Sequence, residues 1–273
     1  MFGLRFLLFA LVCFPFHSAF AQSVLVSHEA EYELSLAEPP KSGVGLTSAG
    51  GIMKYKTEYT CDGWITSNSF ILKLYYDGLG EETRLWNIST FESKDGREMS
   101  FATQVSSGDK EGEVEKVTGK ASFADRTKDG RATFSYPERI SIVLPSKTMF
   151  PSSFNLAALA AAQKGKKNFS GFMFDGSGFD AVSEVNVFIS PKDAMDLRRS
   201  VAGDKQLLQS EAYDFSMAFF PYSLTGKETG IPSYEVQSVY FSNGVAGEIV
   251  QDLGAFKIKA GLQKIKKLPE PRC

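Results

Sequence analysis

Two cysteines, Cys61 and Cys273, constrain the fold of this chain more than any other sequence feature. They are the only cysteines left once the N-terminal leader, which contains Cys13, is removed. If they form a disulfide, the bond closes a loop of roughly 210 residues and restricts the unfolded chain by about 5 kcal/mol in the chain-entropy treatment. Two unpaired thiols are the alternative, because a sequence does not report the distance between sulfur atoms. The pairing predicts that the C-terminal end lies against an early segment.

Residues 1–21 have the three parts of a secretory signal peptide. Arg5 is the only charge, residues 6–16 form an apolar run, and residues 19–21 are a small-x-small cleavage site. The run is shorter than the roughly twenty residues that span a bilayer, so we predict cleavage after Ala21 rather than a retained membrane helix. Lipid attachment at Cys13 is disfavoured because Val12 precedes it. Export to an oxidising compartment would permit the disulfide.

The remaining chain, residues 22–273, is predicted to form a single domain. It contains no internal repeat and no linker rich in proline, serine or glycine between two apolar blocks. Removal of Arg5 with the leader changes the formal net charge from −2 to −3, so the sequence gives no electrostatic reason to bind nucleic acid. Seventeen of the 23 phenylalanines lie in residues 22–273, mostly in short apolar runs separated by glycine and polar clusters, a pattern typical of many-stranded β proteins.

The alternation of apolar and polar residues, together with turn-forming residues, predicts the strands. Residues 31–36 place Tyr32, Leu34 and Leu36 on one face, as in a half-buried strand. Asp62-Gly63 predicts a tight hairpin turn in which glycine takes a positive φ, and Asn243-Gly244 predicts a second hairpin near the C-terminus. The segment 268–273 has no evident apolar anchor, so the predicted disulfide is expected to hold this extended tail in place.

One convincing helix is predicted, from about Ser153 to Lys164, because the segment is rich in alanine and has no β-branched residue, whereas residues 190–205 suit a short helix or a long surface loop equally well. Ser152 or Ser153 is the predicted N-cap, and Gly165 is the predicted C′ residue. Since alanine allows close approach of backbones, we expect the helix to lie against a sheet or to plug its open side.

The sequence does not assemble a recognisable active site, and we predict no catalytic, cofactor-binding or metal-binding residues. His28 is the only histidine after the leader and lies near a start expected to be flexible, which leaves histidine-dependent catalysis or zinc binding without ligands. Residues 175–180, Asp-Gly-Ser-Gly-Phe-Asp, are interpreted as a tight turn, with a calcium site as the alternative. Five lysines between residues 257 and 267 are interpreted as a solvated strand face, with contact to anionic lipid as the alternative.

The chain resembles the bacterial cell-envelope integrity protein EipB family. The resemblance covers essentially the whole mature chain and rests on Cys61-Asp62-Gly63-Trp64, the alanine-rich helix ending at Gly165, Phe174-Asp175-Gly176-Ser177, Asn243-Gly244-Val245 and the terminal Cys273. Gly178 departs from the second acid expected there. The resemblance implies a periplasmic protein with an all-β fold, a curved, unclosed antiparallel barrel or β-spiral of about fourteen strands with one alanine-rich helix. It also implies a single disulfide at Cys61 and Cys273.

The resemblance further implies an architecture similar to the lipoprotein carriers of the Lol system and to periplasmic sensors of envelope stress. Our leading hypothesis is a non-enzymatic periplasmic protein that maintains cell-envelope integrity under stress through contacts with a periplasmic protein or an envelope component. The alternative is a carrier or sensor that binds a lipid or lipoprotein on the concave face of the sheet, with residues 154–159 as a lid. A hydrolase that uses carboxylates alone is the third hypothesis.

Overall fold

The computed structural model describes residues 25–40, 45–108, 114–180, 182–222 and 230–273. The predicted signal peptide and its cleavage site lie outside these residues. In chain order the strands are β1 (His28–Leu36), β2 (Leu46–Tyr59), β3 (Gly63–Tyr76), β4 (Gly80–Ser93), β5 (Glu98–Ser107), β6 (Val114–Ser122), β7 (Gly130–Tyr136), β8 (Ser141–Leu144), β9 (Asn168–Phe174), β10 (Val182–Lys192), β11 (Ala202–Gly203), β12 (Ala212–Pro221), β13 (Tyr234–Phe241), β14 (Ala246–Asp252) and β15 (Lys257–Lys267). The helices are α1 (Pro151–Gln163) and α2 (Met195–Ser200), and a 3-10 turn covers Lys205–Leu208.

One sheet organises the molecule. Its strands follow the order β8-β7-β6-β5-β4-β3-β2-β1-β15-β14-β13-β12-β10-β9, and each neighbouring pair is antiparallel. The two-residue strand β11 adds only a short parallel contact to β15. Because β1 pairs with β15, the first and last long strands are neighbours in the middle of the sheet. This arrangement confirms the predicted unclosed antiparallel barrel of about fourteen strands.

The barrel has one seam, between the terminal strands β8 and β9. Within the described residues the seam has an isolated parallel bridge from Met149 to Met173 in place of a strand ladder. Aromatic side chains pack together on the inner side here: the ring of Phe174, in β9, meets those of Phe101 and Phe134 edge-to-face, with centroids 5.5 and 6.4 Å away. Phe174 and Phe134 are fully buried. Side-chain packing therefore joins the two ends of the sheet together with the backbone hydrogen bonds of this bridge, from Met149 N–H to Phe172 O and from Phe174 N–H to Met149 O.

Helix α1 fills one part of the barrel interior, which confirms the predicted alanine-rich helix. Phe154, Ala158 and Leu159 are buried in an apolar cluster with residues of β10 and β12, including Val187 and Phe215. The helix ends as predicted, since Gly165 has a φ of 71° and donates its backbone N–H to Ala162 O. The alanines allow the helix backbone to come close to the sheet.

Gly63 corrects the turn predicted at Asp62-Gly63. Its φ is not positive, and it is the first residue of β3, where its N–H donates to Thr60 Oγ1 and its carbonyl accepts from Thr60 N. Because Thr60 and Gly63 are hydrogen-bonded to each other, the two turn residues between them are Cys61 and Asp62. Glycine is needed for another reason, because a Cβ built at Gly63 would lie 1.8 Å from the carbonyl oxygen of Glu92 in β4. Close approach of two backbones, rather than turn conformation, requires glycine here.

We expect Gly63→Ala to lower the free energy of unfolding by about 1–3 kcal/mol or more, because the new methyl group must displace the backbone of β4. Gly50→Ala in β2 is the matched control, since a Cβ there meets no atom within 4 Å and its φ is not positive. That control should be neutral or stabilise by up to about 1 kcal/mol. Urea unfolding of both variants measures the contrast, and equal effects would contradict the backbone contact.

Candidate functional site

A polar chamber inside the barrel is the candidate functional site. Its wall is formed by strands β1 to β4 on one side, by β13 and β14 on the other, and by the first turn of α1. The chamber has a volume of about 250 Å³. Its polar lining consists of His28, Tyr32, Tyr55, Thr57, Thr66, Asn68, Thr90, Glu92, Ser152, Asn155 and Tyr240. Ionisable and hydroxyl-bearing side chains are thus concentrated in the interior of a β-barrel.

His28 is held in the wall by one ring nitrogen. It is the first residue of β1 and only 1% exposed, so the expectation that it lies near a flexible start is wrong. Nδ1 lies 2.8 Å from the carbonyl oxygen of Val26, which can only accept, so Nδ1 carries the proton. Burial lowers the pKa of His28. The ring is therefore biased toward its neutral form, in which Nε2 is a hydrogen-bond acceptor.

Glu92 joins the barrel wall to helix α1. One carboxyl oxygen accepts from the backbone N–H of Ser152 at 2.8 Å and the other from that of Ser153 at 3.3 Å. This corrects the predicted serine N-cap, because Phe150 occupies the cap position without a side-chain hydrogen bond and Glu92 satisfies the first-turn amides from β4. Glu92 is 1% exposed, and burial raises its pKa to about 7 against the lowering effect of these hydrogen bonds.

The tyrosines and threonines of the wall are neutral, and several have internal partners. Tyr32 Oη donates to the carbonyl oxygen of Ala246 at 2.7 Å. Burial raises the pKa of Tyr55 to about 12 and also raises that of Tyr240, so the phenols stay protonated at ordinary pH. The hydroxyls of Thr57 and Thr66 lie 3.2 Å apart and can satisfy each other. This part of the wall offers hydroxyl groups and aromatic rings but no net charge.

The two cysteines lie away from the chamber, where the C-terminal tail meets the β2–β3 hairpin. Their sulfur atoms are bonded in the structure, with the Cα atoms 5.6 Å apart across 212 residues of sequence. The expectation that the tail has no apolar anchor is wrong, because Leu268 is buried and its N–H donates to Ser27 O. Glu270 also accepts from the N–H and the hydroxyl of Ser27, at 3.0 and 3.1 Å. The tail is therefore held by several contacts besides the disulfide.

The segment 175–180 joins β9 to β10. Asp175 Oδ1 accepts from the N–H of Ser177 at 2.9 Å, and Gly176, with a φ of 75°, packs against the ring of Phe101. Burial raises the pKa of Asp175. In the part of the chain that the structure describes, no group of three or more histidine, cysteine, aspartate or glutamate residues is placed to hold a metal ion. Asp175, Gly176 and Ser177 form a local turn closed by the hydrogen bond from Ser177 N–H to Asp175, at the start of the connection between β9 and β10.

Three of the five lysines of β15 pair with acidic residues of neighbouring segments. Lys259 Nζ lies 2.7 Å from Glu248, Lys257 Nζ 3.0 Å from Glu38, and Lys266 Nζ 3.8 Å from Glu29. These pairs distribute the positive charge across a mixed surface, in line with a solvated strand face. None of the described helices has both the length and the apolar content needed to cross a membrane.

The architecture defines a class of protein: an antiparallel barrel left open at one seam, with a helix and a polar chamber inside. It is similar to the crystal structure of a β-barrel-like protein of a domain of unknown function from Brucella abortus, with a TM-score of 0.77 and 22% identity, covering 90% of this chain and 100% of that one. Residues 19–269 match the EipB-like family, so the chain belongs to this family. A relative described as cell envelope integrity protein EipB, from Brucella abortus (strain 2308), is 27% identical over 88% of this chain and 84% of its own length.

Proposed function

We propose that this protein maintains the integrity of the bacterial cell envelope as a non-enzymatic periplasmic protein. In this proposal residues 1–21 direct export, cleavage follows Ala21, and residues 22–273 act as one domain whose Cys61–Cys273 disulfide forms in the oxidising periplasm. The protein acts by contact with a periplasmic partner or an envelope component. The observation that carries the proposal is the similarity, over most of both chains, to a relative named for cell envelope integrity.

The arrangement of the chamber supports a non-enzymatic role. Glu92 is the single carboxylate of the lining among the residues that the structure describes, and both of its oxygens accept backbone N–H groups of α1. A carboxylate in this position attaches a helix to the barrel wall, and the described lining supplies no second carboxylate for paired acid–base chemistry. The carrier alternative lacks such support, since Phe154 and Leu159, the expected lid, are each 1% exposed and belong to the protein's own apolar core.

Deletion of the gene in its own bacterium should reduce colony formation on detergent and on antibiotics that inhibit cell-wall synthesis, with normal growth on unstressed medium. Expression of the wild-type chain should restore growth, whereas a chain without residues 1–21 should not, because it stays in the cytoplasm. Immunoblots establish that both chains accumulate equally. Unchanged sensitivity to several such stresses, or rescue by the leaderless chain, would contradict the proposed role.

A further inference from the structure

The chamber contains polar atoms that the protein itself does not satisfy. His28 Nε2 and Asn68 Oδ1 are buried, and neither has a hydrogen-bond partner among the residues that the structure describes. The other ring nitrogen of His28 is engaged with Val26, which is not part of the lining, so Nε2 is the nitrogen left for the chamber. A buried polar atom without a partner carries a desolvation penalty comparable to the loss of a hydrogen bond. A molecule that donates hydrogen bonds inside the chamber would remove this penalty.

The size of the chamber limits what it can hold. Its volume of about 250 Å³ equals the volume that roughly eight water molecules occupy in the liquid. Pockets for drug-sized ligands occupy roughly 300–1,000 Å³, so the chamber is smaller than these. It fits a small polyol or a monosaccharide and is too small for a phospholipid.

The lining also limits the charge of the occupant. In the described part of the chain it includes no lysine, arginine or aspartate, and Glu92 already accepts two backbone N–H groups. Tyr55 and Tyr240 supply aromatic rings, and Met53 and Ile249 supply apolar surface. An anion would therefore lose its hydration without gaining an opposite charge, and a cation would meet only the Glu92 carboxyl, whose oxygens already accept two backbone N–H groups. An uncharged molecule with hydroxyl groups and C–H faces would gain both hydrogen bonds and apolar contact.

We propose that the chamber is a binding site for a small uncharged polyhydroxy compound of monosaccharide size, one hydroxyl of which donates to His28 Nε2 while another polar group bonds to Asn68. This inference does not depend on the envelope role. The chamber would keep the same specificity if the protein acted elsewhere, because that specificity follows from the lining alone.

Isothermal titration calorimetry and saturation-transfer NMR of the purified protein test the proposal with defined probes. The neutral probes are D-glucose, N-acetyl-D-glucosamine, xylitol and myo-inositol, and the charged counterparts are glucuronate and glucosamine. At least one neutral probe should bind saturably at a single site, and the charged counterparts should bind more weakly. Absence of binding by all four neutral probes at millimolar concentration, with only ordered water in a crystal soaked with them, would overturn the proposal.

Two variants locate the binding site. His28→Phe keeps an aromatic ring beside Tyr55 but removes Nε2, and should weaken binding by about fivefold or more, the loss expected for one neutral hydrogen bond. Thr90→Leu adds apolar bulk to the chamber wall in place of a hydroxyl and should weaken binding further. Ser89→Leu, at the adjacent exposed position of β4, is the control and should bind as the wild type does. Circular dichroism verifies that each variant is folded, and wild-type affinity in a folded Thr90→Leu protein would overturn the proposal.

Discussion

Replacement of both Cys61 and Cys273 by serine should lower the free energy of unfolding by about 2–5 kcal/mol, which corresponds to a fall in Tm of about 10 °C for a chain of this size. The expected effect is large because the bond joins residues 212 positions apart and so removes many conformations from the unfolded chain. Urea and thermal unfolding of the protein purified in its oxidised form measure the change. The oxidised wild type should also migrate faster than the reduced protein on a denaturing gel.

The single variants Cys61→Ser and Cys273→Ser should each lose as much stability as the double variant, because any of the three removes the same bond. Reduced wild-type protein should behave like them. The reduced protein should still fold, since Leu268 and the Glu270–Ser27 hydrogen bonds continue to hold the tail. Equal unfolding free energies for oxidised wild type and double variant would mean that the bond contributes nothing to stability.

Local patterns in the sequence predict much of the sheet. The alternation of Tyr32, Leu34 and Leu36 marks β1, and Asn243-Gly244 marks the β13–β14 hairpin, where Gly244 has a φ of 89°. Strand β12 is not among the predicted strands, although its buried Phe215, Met217 and Phe219 alternate with more exposed residues. The four-residue β8 has too short a pattern to recognise. The order of the strands and the position of the seam depend on pairing between distant segments, which a single sequence does not specify.

The chamber was missed for a related physical reason. His28 and Glu92 are adjacent to polar or exposed residues in the sequence, so each reads as a surface residue when it is considered alone. Yet His28 lies on the same face of β1 as its buried residues, because side chains two positions apart in a strand share a face. In the same way Glu92 lies on the inner face of β4 with Trp86 and Ile88. An ionisable residue on the apolar face of a predicted strand is the signal that could identify the site. The contact of Glu92 with α1 spans 60 residues, and no local pattern predicts it.

The Glu92 carboxyl should make stability fall as the pH rises. Its folded pKa, about 7, lies above the ordinary value of 4.5, so between these pH values the folded state binds the proton that the unfolded state releases. The contribution of the Glu92 proton to the free energy of unfolding is complete below pH 4.5 and is lost as the pH rises through 7. The total loss is about 3 kcal/mol. Glu92→Gln should abolish this component, so the stability of wild type relative to the variant should be greater at pH 5 than at pH 8 by about 2.5 kcal/mol.

Comparison with the variant is necessary because His28 acts in the opposite direction. Burial lowers its pKa from 6.5, so His28 reduces stability as the pH falls and partly masks the effect of Glu92 in the wild type alone. Glu98→Gln, an exposed position on the neighbouring strand β5, controls for the loss of a carboxyl charge. If urea unfolding gives the same difference between wild type and Glu92→Gln at pH 5 and pH 8, the helix amides fully compensate burial of the carboxylate. Glu92 would then join α1 to β4 without making that junction sensitive to pH.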